Sequence, residues 1–260
     1  MTVSRRALDH PYLHHPDLPD GAPIAFAHRG GIDVAPENTV AAFDHAVALG
    51  YRYLETDVHR TLDGELVAFH DRNLSRTAGV DALISELTAA EIDDVRIDSE
   101  HRIPRMSELF ERFPTVHFNI DAKADDAVEP LADLVRRYEA IDRVCLAAFA
   151  RSRILRLTEL LGPDLLTNMS SVEVALFRLG RRTLGDRLRA AQVPVRGGRV
   201  DLVTPAMLDR ARRRGIPVHV WTVNDATETE RLLDLGVDGI MTDDVAMLRD
   251  AFVARRLWPA

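Results

Sequence analysis

Short apolar runs alternate with amphipathic helical runs from residue 24 to the end of the chain, and this alternation limits the fold more than any other feature. PIAFAH, YRYLETDV, TVHFNIDAK, RVCLAAF, DLLTNM, AQVPV, IPVHVWTV and VDGIMTD read as strands. ENTVAAFDHAVALG, AVEPLADLVRRY, SRILRLTELLG, TPAMLDRARRRG, DATETERLLDLG and DVAMLRDAFVARRL read as helices, several with a capping residue before and a glycine after. ELVAFHD reads as a return strand after the Asp-Gly turn in TLDGEL, LTAAEIDDV and SELFERF as shorter helices, and residues 172–190 as helical. Strand followed by helix, repeated close to eight times, implies a parallel sheet covered by helices. The count favours a closed (β/α)8 TIM barrel, an α/β fold, over an open doubly wound sheet.

With 260 residues and 46% hydrophobic side chains, the chain suits one large domain of this kind. Residues 1–23 read as an irregular arm and residues 24–260 as a single barrel domain. The formal charge of −8 argues against a nucleic-acid partner, because phosphate backbones attract basic surfaces. Cys145 is the single cysteine, flanked by Val144 and Leu146, and reads as a buried small residue rather than a nucleophile. The arm has no apolar core of a secretory signal, and no stretch is long enough to cross a membrane. A cytoplasmic protein is expected.

In a barrel of this type the active site lies at the C-terminal ends of the strands. Polar residues gather at those ends: His28-Arg29 on the first, Glu55 and Asp57 on the second, His70-Asp71 on the return strand, Asp121 and Lys123 on the next, and Trp221 and Asn224 on the seventh. Strand alternation places Glu55 and Asp57 on one face, and Asn119, Asp121 and Lys123 on another shared face. Three carboxylates converging on one mouth would repel, and a divalent cation resolves that; an all-oxygen set suits Mg²⁺, Ca²⁺ or Mn²⁺. Taken singly, each cluster also has a plainer reading. An E-x-D pair can be an ion pair at the rim, and a lone histidine can be a core residue bonded to backbone, as His59 and His117 are read unless they are exposed. Trp221 can contact substrate or merely fill the barrel top.

Together, AHRGG with APENTVAAF, YLETDVHRTLDGELVAFHD with LSRTAG, NIDAK, VHVWTVN and GIMTDD resemble the glycerophosphodiester phosphodiesterases. The resemblance runs from about Ile24 to Val245, and residues 150–200 share only its pattern. It implies a TIM barrel with a small insertion after the second strand region, here the stretch following His70. It implies one divalent cation held by Glu55, Asp57 and Asp121, catalytic histidines His28 and His70, and phosphate contacts from Arg29 and Lys123, with Trp221 against the glycerol carbons. It also implies hydrolysis of a small glycerophosphodiester to an alcohol and sn-glycerol 3-phosphate. Two positions depart from the pattern: Asp121 stands where glutamate is common, and Ala148 where a serine is frequent. The first bears on which metal binds; the second is expected to alter substrate contacts. A related phospholipid-cleaving barrel lyase is the alternative chemistry, although such proteins are typically secreted and disulfide-bonded. A barrel that binds phosphodiesters without turnover is the other alternative.

Overall fold

The computed structural model describes residues 7–181 and 188–259. Eight parallel strands close into a barrel: β1 (Ile24–His28), β2 (Tyr53–Arg60), β6 (His117–Ala122), β7 (Val144–Ala147), β8 (Leu166–Asn168), β9 (Arg189–Pro194), β12 (Val218–Trp221) and β13 (Gly239–Thr242). β13 pairs with β1 and β1 with β2, which completes the ring. Most of these strands are buried along their whole length, as expected where helices cover one face and a filled interior the other.

Helices return the chain between strands: α1 (Val40–Leu49), α4 (Met106–Arg112), α5 (Val128–Arg137), α6 (Arg151–Leu161), α7 (Ser171–Arg178), α8 (Pro205–Arg214), α9 (Ala226–Leu235) and α10 (Val245–Ala254). Their ends follow local chemistry. Thr39, Thr204 and Asp225 each accept a backbone N–H at a helix start, and Gly50, Gly215 and Gly236 end helices in the left-handed region.

The return strand β3 (Leu66–Ala68) pairs antiparallel with the end of β2. After it, α2 (Ser75–Ala78), α3 (Ala89–Asp93) and the ribbon β4 (Arg96–Ile97) with β5 (His101–Arg102) form the expected insertion. It has its own apolar cluster around Phe69, Leu74, Ile92 and Ile103. A second ribbon, β10 (Arg196–Gly197) with β11 (Val200–Asp201), follows β9. The helical reading of residues 172–190 is corrected here: α7 ends at Arg178, residues 182–187 lie outside the described residues, and β9 already begins at Arg189. A charged residue at a strand start concealed that boundary; Arg189 is fully buried, beside Glu173 at 3.9 Å.

The N-terminal arm closes the barrel floor. Its two short 3-10 turns set Tyr12 at 0% exposure, edge-on to Tyr53 and stacked on His117. The Tyr53 hydroxyl donates to the Tyr12 carbonyl (2.6 Å), and His117 Nδ1 lies 2.8 Å from the same oxygen. His117 is therefore a buried histidine bonded to backbone.

Candidate active site

At the opposite, C-terminal end a cavity of about 460 Å³ opens in the barrel mouth. His28, Arg29, Glu55, Asp57, His70, Asp121, Lys123 and Trp221 all line it. The β2–β6 register explains the acids: Glu55 pairs with Asn119 and Asp57 with Asp121, so all four side chains point to the same interior face.

His28 ends β1. Its Nδ1 lies 2.6 Å from Asp243 Oδ1, just beyond β13, and its Nε2 is 3.7 Å from Glu55 Oε2. A carboxylate only accepts, so Nδ1 carries the proton and Nε2 is the atom presented to the cavity. Burial alone would lower the His28 pKa, but the Glu55 charge and the Asp243 hydrogen bond outweigh it and raise it. Burial likewise tends to raise Asp243, yet its bond to His28 holds it below the usual carboxylate range. Asn224 fixes that carboxylate by donating to Oδ2 (2.8 Å) while accepting from the Asp243 amide (2.9 Å).

His70, after β3, repeats the arrangement: Nδ1 lies 2.6 Å from Asp71 Oδ1. The other Asp71 oxygen accepts from Arg76 Nε (2.5 Å), and Arg76 reaches Glu37 (2.5 Å), which also accepts from Arg29 (3.2 Å). Arg29 continues to Asp57 (3.1 Å), and Lys123 bridges Asp57 (2.7 Å) and Asp121 (2.8 Å). One chain of charge-assisted contacts thus runs from the second histidine to the third acid. His59 lies within β2, which extends to Arg60 and so past the sequence-expected strand end. Its Nε2 is 3.1 Å from the His70 carbonyl, which makes it a buttress for the backbone that carries His70.

Three buried carboxylates here face two cationic side chains, and one of those, Arg29, is shared with Glu37. The shortage shows in the titration of the group with no cationic side chain bonded to it. Burial and then the neighbouring Asp57 charge push the Glu55 carboxyl up to about 7. Burial also tends to raise Asp57, but Lys123 and Arg29 hold it low. Asp121 Oδ1 is buried without a hydrogen-bond partner. Hard oxygen donors, an unpartnered oxygen and an under-neutralised carboxyl fit a divalent cation. Among the described residues no three acidic, histidine or cysteine side chains stand together as a ready cage, since the Lys123 ammonium sits between Asp57 and Asp121.

The HRGG and PENT segments are built for local geometry. Arg29 has φ 52°, and Gly30 and Gly31 each have φ 85°. A Cβ on Gly30 would lie 2.9 Å from Phe43, and one on Gly31 2.7 Å from Val245. The glycines thus let the loop pack on α1 and α10, and they do not line the cavity. The Arg29 amide, turned by this loop, donates to Glu55 Oε2 (3.1 Å). Thr39 caps α1, whereas Asn38 is buried, accepts from Thr56 (2.7 Å) and donates to Asp57 (3.4 Å). Trp221 packs edge-on to Phe149, with ring centroids 6.0 Å apart at the rim. Ala148 is fully buried and does not line the cavity, so the missing serine is not a lost direct contact with substrate.

Asp243, Asn224, Asp71 and Arg76 are the residues that the sequence reading did not assign. Asp71 was visible as the neighbour of His70, and Asp243 as the first aspartate of GIMTDD. Arg76 lies in LSRTAG, but its role could not be read there, since it arises from the insertion folding over the mouth.

The sequence profile of the glycerophosphoryl diester phosphodiesterase family matches residues 28–247. The chain belongs to this family. It is 35% identical over 251 residues to a protein of Mycobacterium tuberculosis named probable glycerophosphodiester phosphodiesterase 2, covering 93% of this chain and 95% of that relative. A Homo sapiens lysophospholipase D is 31% identical over 266 residues, covering 86% of this chain and 84% of the relative. Among solved structures, an Oleispira antarctica phosphodiesterase in complex with the product sn-glycerol 3-phosphate superposes with a TM-score of 0.75 at 22% identity, covering 89% of this chain and 97% of that one. No helix among the described residues is long and apolar enough to cross a membrane.

Proposed function

We propose that this site hydrolyses glycerophosphodiesters to an alcohol and sn-glycerol 3-phosphate with the help of one divalent cation, Mg²⁺, Ca²⁺ or Mn²⁺. The observation that carries the reading is the pair of histidines, each anchored through Nδ1 by its own aspartate at 2.6 Å, lining one cavity with the acid–lysine–arginine cluster. Family membership and the relative named probable glycerophosphodiester phosphodiesterase 2 support the same reaction.

Arg29 and Lys123 hold the non-bridging phosphate oxygens, Arg29 as a planar fork and Lys123 as a point charge. Glu55, Asp57 and Asp121 would hold the cation, which would neutralise charge on the phosphate oxygens. One histidine takes the proton of the attacking water as oxygen adds to phosphorus. The other returns a proton to the departing alcohol oxygen as the P–O bond breaks. Asp243 and Asp71 accept from Nδ1–H of the two rings, so each works through Nε2, unprotonated in the base and protonated in the acid, a positioning role for both aspartates. Trp221 packs against the glycerol carbons. A reducing cytoplasm suits this reading, with Cys145 buried and free.

Calorimetric titration of metal-stripped protein with Mg²⁺, Ca²⁺ and Mn²⁺ tests the cation site. One binding event in the wild type, lost in Asp57→Asn, is expected. A panel of choline, ethanolamine, inositol and glycerol diesters then identifies the preferred alcohol. No turnover of any of them, with or without metal, would overturn the reading.

A further inference from the structure

Besides the histidines, three cationic side chains line the barrel-mouth cavity: Arg29, Lys123 and Arg178. Arg29 and Lys123 are held by acids. Arg178 is not. Its guanidinium donates to the Asp201 carbonyl (3.2 Å), whereas the Asp201 carboxylate accepts from Arg196 (2.8 Å). Among the described residues no carboxylate pairs with Arg178. The three acids that line the cavity, Glu55, Asp57 and Asp121, all stand on β2 and β6.

Helix α7 sets the place of this arginine. Ser171, Val174, Ala175 and Arg178 line the cavity, with the i, i+3, i+4, i+7 spacing of a single helix face. At about 1.5 Å per residue, Arg178 lies about 10 Å along the axis from Ser171, which follows β8 closely. A groove therefore leaves the strand ends at Asn168 and Met169, passes Val174 and Leu202, and finishes at a guanidinium. The helix end has other cations for its carbonyls. Arg210 donates to the Phe177 carbonyl (2.8 Å) and the Arg178 carbonyl (2.5 Å), and Arg214 to the Gly180 carbonyl (3.4 Å). The Arg178 side chain instead borders the groove, in a region made positive by all three arginines although the chain carries a formal charge of −8.

We propose that Arg178 receives a second anionic group of the substrate, so that the enzyme favours diesters whose alcohol carries a terminal phosphate or carboxylate. The proposal rests on the phosphodiesterase reading above. There the scissile phosphate takes Arg29 and Lys123 and the glycerol takes Trp221, which leaves the groove along α7 to the alcohol half. A neutral or cationic alcohol would leave the guanidinium with a backbone carbonyl alone. An anion carried on a ring or short chain gains a charge-assisted contact that the planar fork of Arg178 can make with two oxygens. The step at phosphorus is unchanged. Water adds its oxygen, the P–O bond to the alcohol breaks, and the alcohol leaves with a proton and its own anionic group intact.

The test compares substrates that differ by one anionic group: glycerophosphoinositol with its 4-phosphate, and glycerophosphoethanolamine with glycerophosphoserine. Release of sn-glycerol 3-phosphate is the readout. The more anionic member of a pair is expected to have kcat/KM about tenfold higher, the effect of one charge-assisted contact at a partly exposed site. A preference in the inositol pair alone assigns the group as a phosphate, and one in the serine pair alone as a carboxylate. Arg178→Gln should abolish the preference while glycerophosphoinositol turnover and the melting temperature stay near wild type, and Arg178→Lys should retain part of it. Equal kcat/KM within both pairs, or a preference that survives Arg178→Gln, would overturn the subsite and leave the phosphodiesterase reading standing. Equal losses on both members of a pair in Arg178→Gln would make the arginine merely structural, which also overturns it. Failure of every diester would remove both readings.

Discussion

On the side of the mouth formed by β1, β2, β6 and β13, charged side chains hold one another in a continuous chain from His70 to Asp121. On the side formed by β7, β8, β9 and β12, mostly apolar side chains, among them Phe149, Met169, Val174, Leu202 and Trp221, face the same cavity beside Asn168, Gln192 and Arg178, and α7 and the ribbon stand behind them. The first side fixes a phosphate and two imidazoles, where a small displacement matters because proton transfer requires hydrogen-bond reach. The second side presents a surface whose contacts are non-directional and scale with area. Substitutions should therefore divide by side: those on the charged side act on kcat, those on the apolar side on KM.

The largest effects are expected from the imidazoles. His28→Ala and His70→Ala should each lower kcat by about 10²–10⁴-fold with little change in KM. Steady-state kinetics on folded protein check this, and a variant with full kcat would break the charged-side assignment. Next come the anchors. Asp243→Asn and Asp71→Asn should lower kcat by about 10–100-fold, since each ring keeps its place but loses the carboxylate that sets its tautomer. The pH–rate profile sharpens this result. The Asp243 bond raises the His28 pKa, so in Asp243→Asn the limb due to His28 should move to lower pH.

Trp221→Ala crosses to the apolar side. The indole is partly exposed and meets Phe149 at the rim, so its loss should cost less than the ~3–5 kcal/mol of a fully buried tryptophan. KM should rise about tenfold, equivalent to about 1.4 kcal/mol, with kcat near wild type. A large fall in melting temperature with KM unchanged would make Trp221 a core residue instead.

The barrel floor should affect turnover least and acid stability most. Burial lowers the His117 pKa from 6.5 to about 4, and burial also lowers His10, His15 and His219. A histidine depressed in the folded state binds its proton more readily in the unfolded chain. Its stabilising contribution is thus complete above pH 6.5 and is lost as the pH falls towards 4. For His117 alone that is on the order of 3 kcal/mol. Denaturant titrations between pH 7 and 4 should show this decline, reduced in His117→Asn; a flat profile would contradict it.

The charged side was legible in the sequence because its residues sit at strand ends, where period-two alternation alone shows which acids share a face. His28, Glu55, Asp57, His70, Asp121 and Lys123 all reach one cavity as that logic required. The anchors were harder to read. Asp243 reaches His28 across the closure of the barrel, a contact 215 positions apart in sequence, and Arg76 acts only because the insertion folds over the mouth. On the apolar side Trp221 was read at the mouth, but Val174 and Leu202, which also line the cavity, gave no signal. Val174 and Leu202 carry the same side-chain chemistry as core residues, and only the folded ring shows that they face the cavity. Arg189 misled in the opposite sense, since a buried arginine at a strand start looks like part of a charged helix.

The most direct test of the whole account is phosphorus NMR of glycerophosphocholine incubated with the protein as purified, after EDTA treatment, and after a divalent cation is restored. The expected phosphorus spectrum shows the sn-glycerol 3-phosphate signal replacing that of the diester in the first and third samples and unchanged substrate in the second. Product formation unaffected by EDTA, or no product in any sample from this diester and from the ethanolamine, inositol and glycerol diesters treated alike, would contradict it.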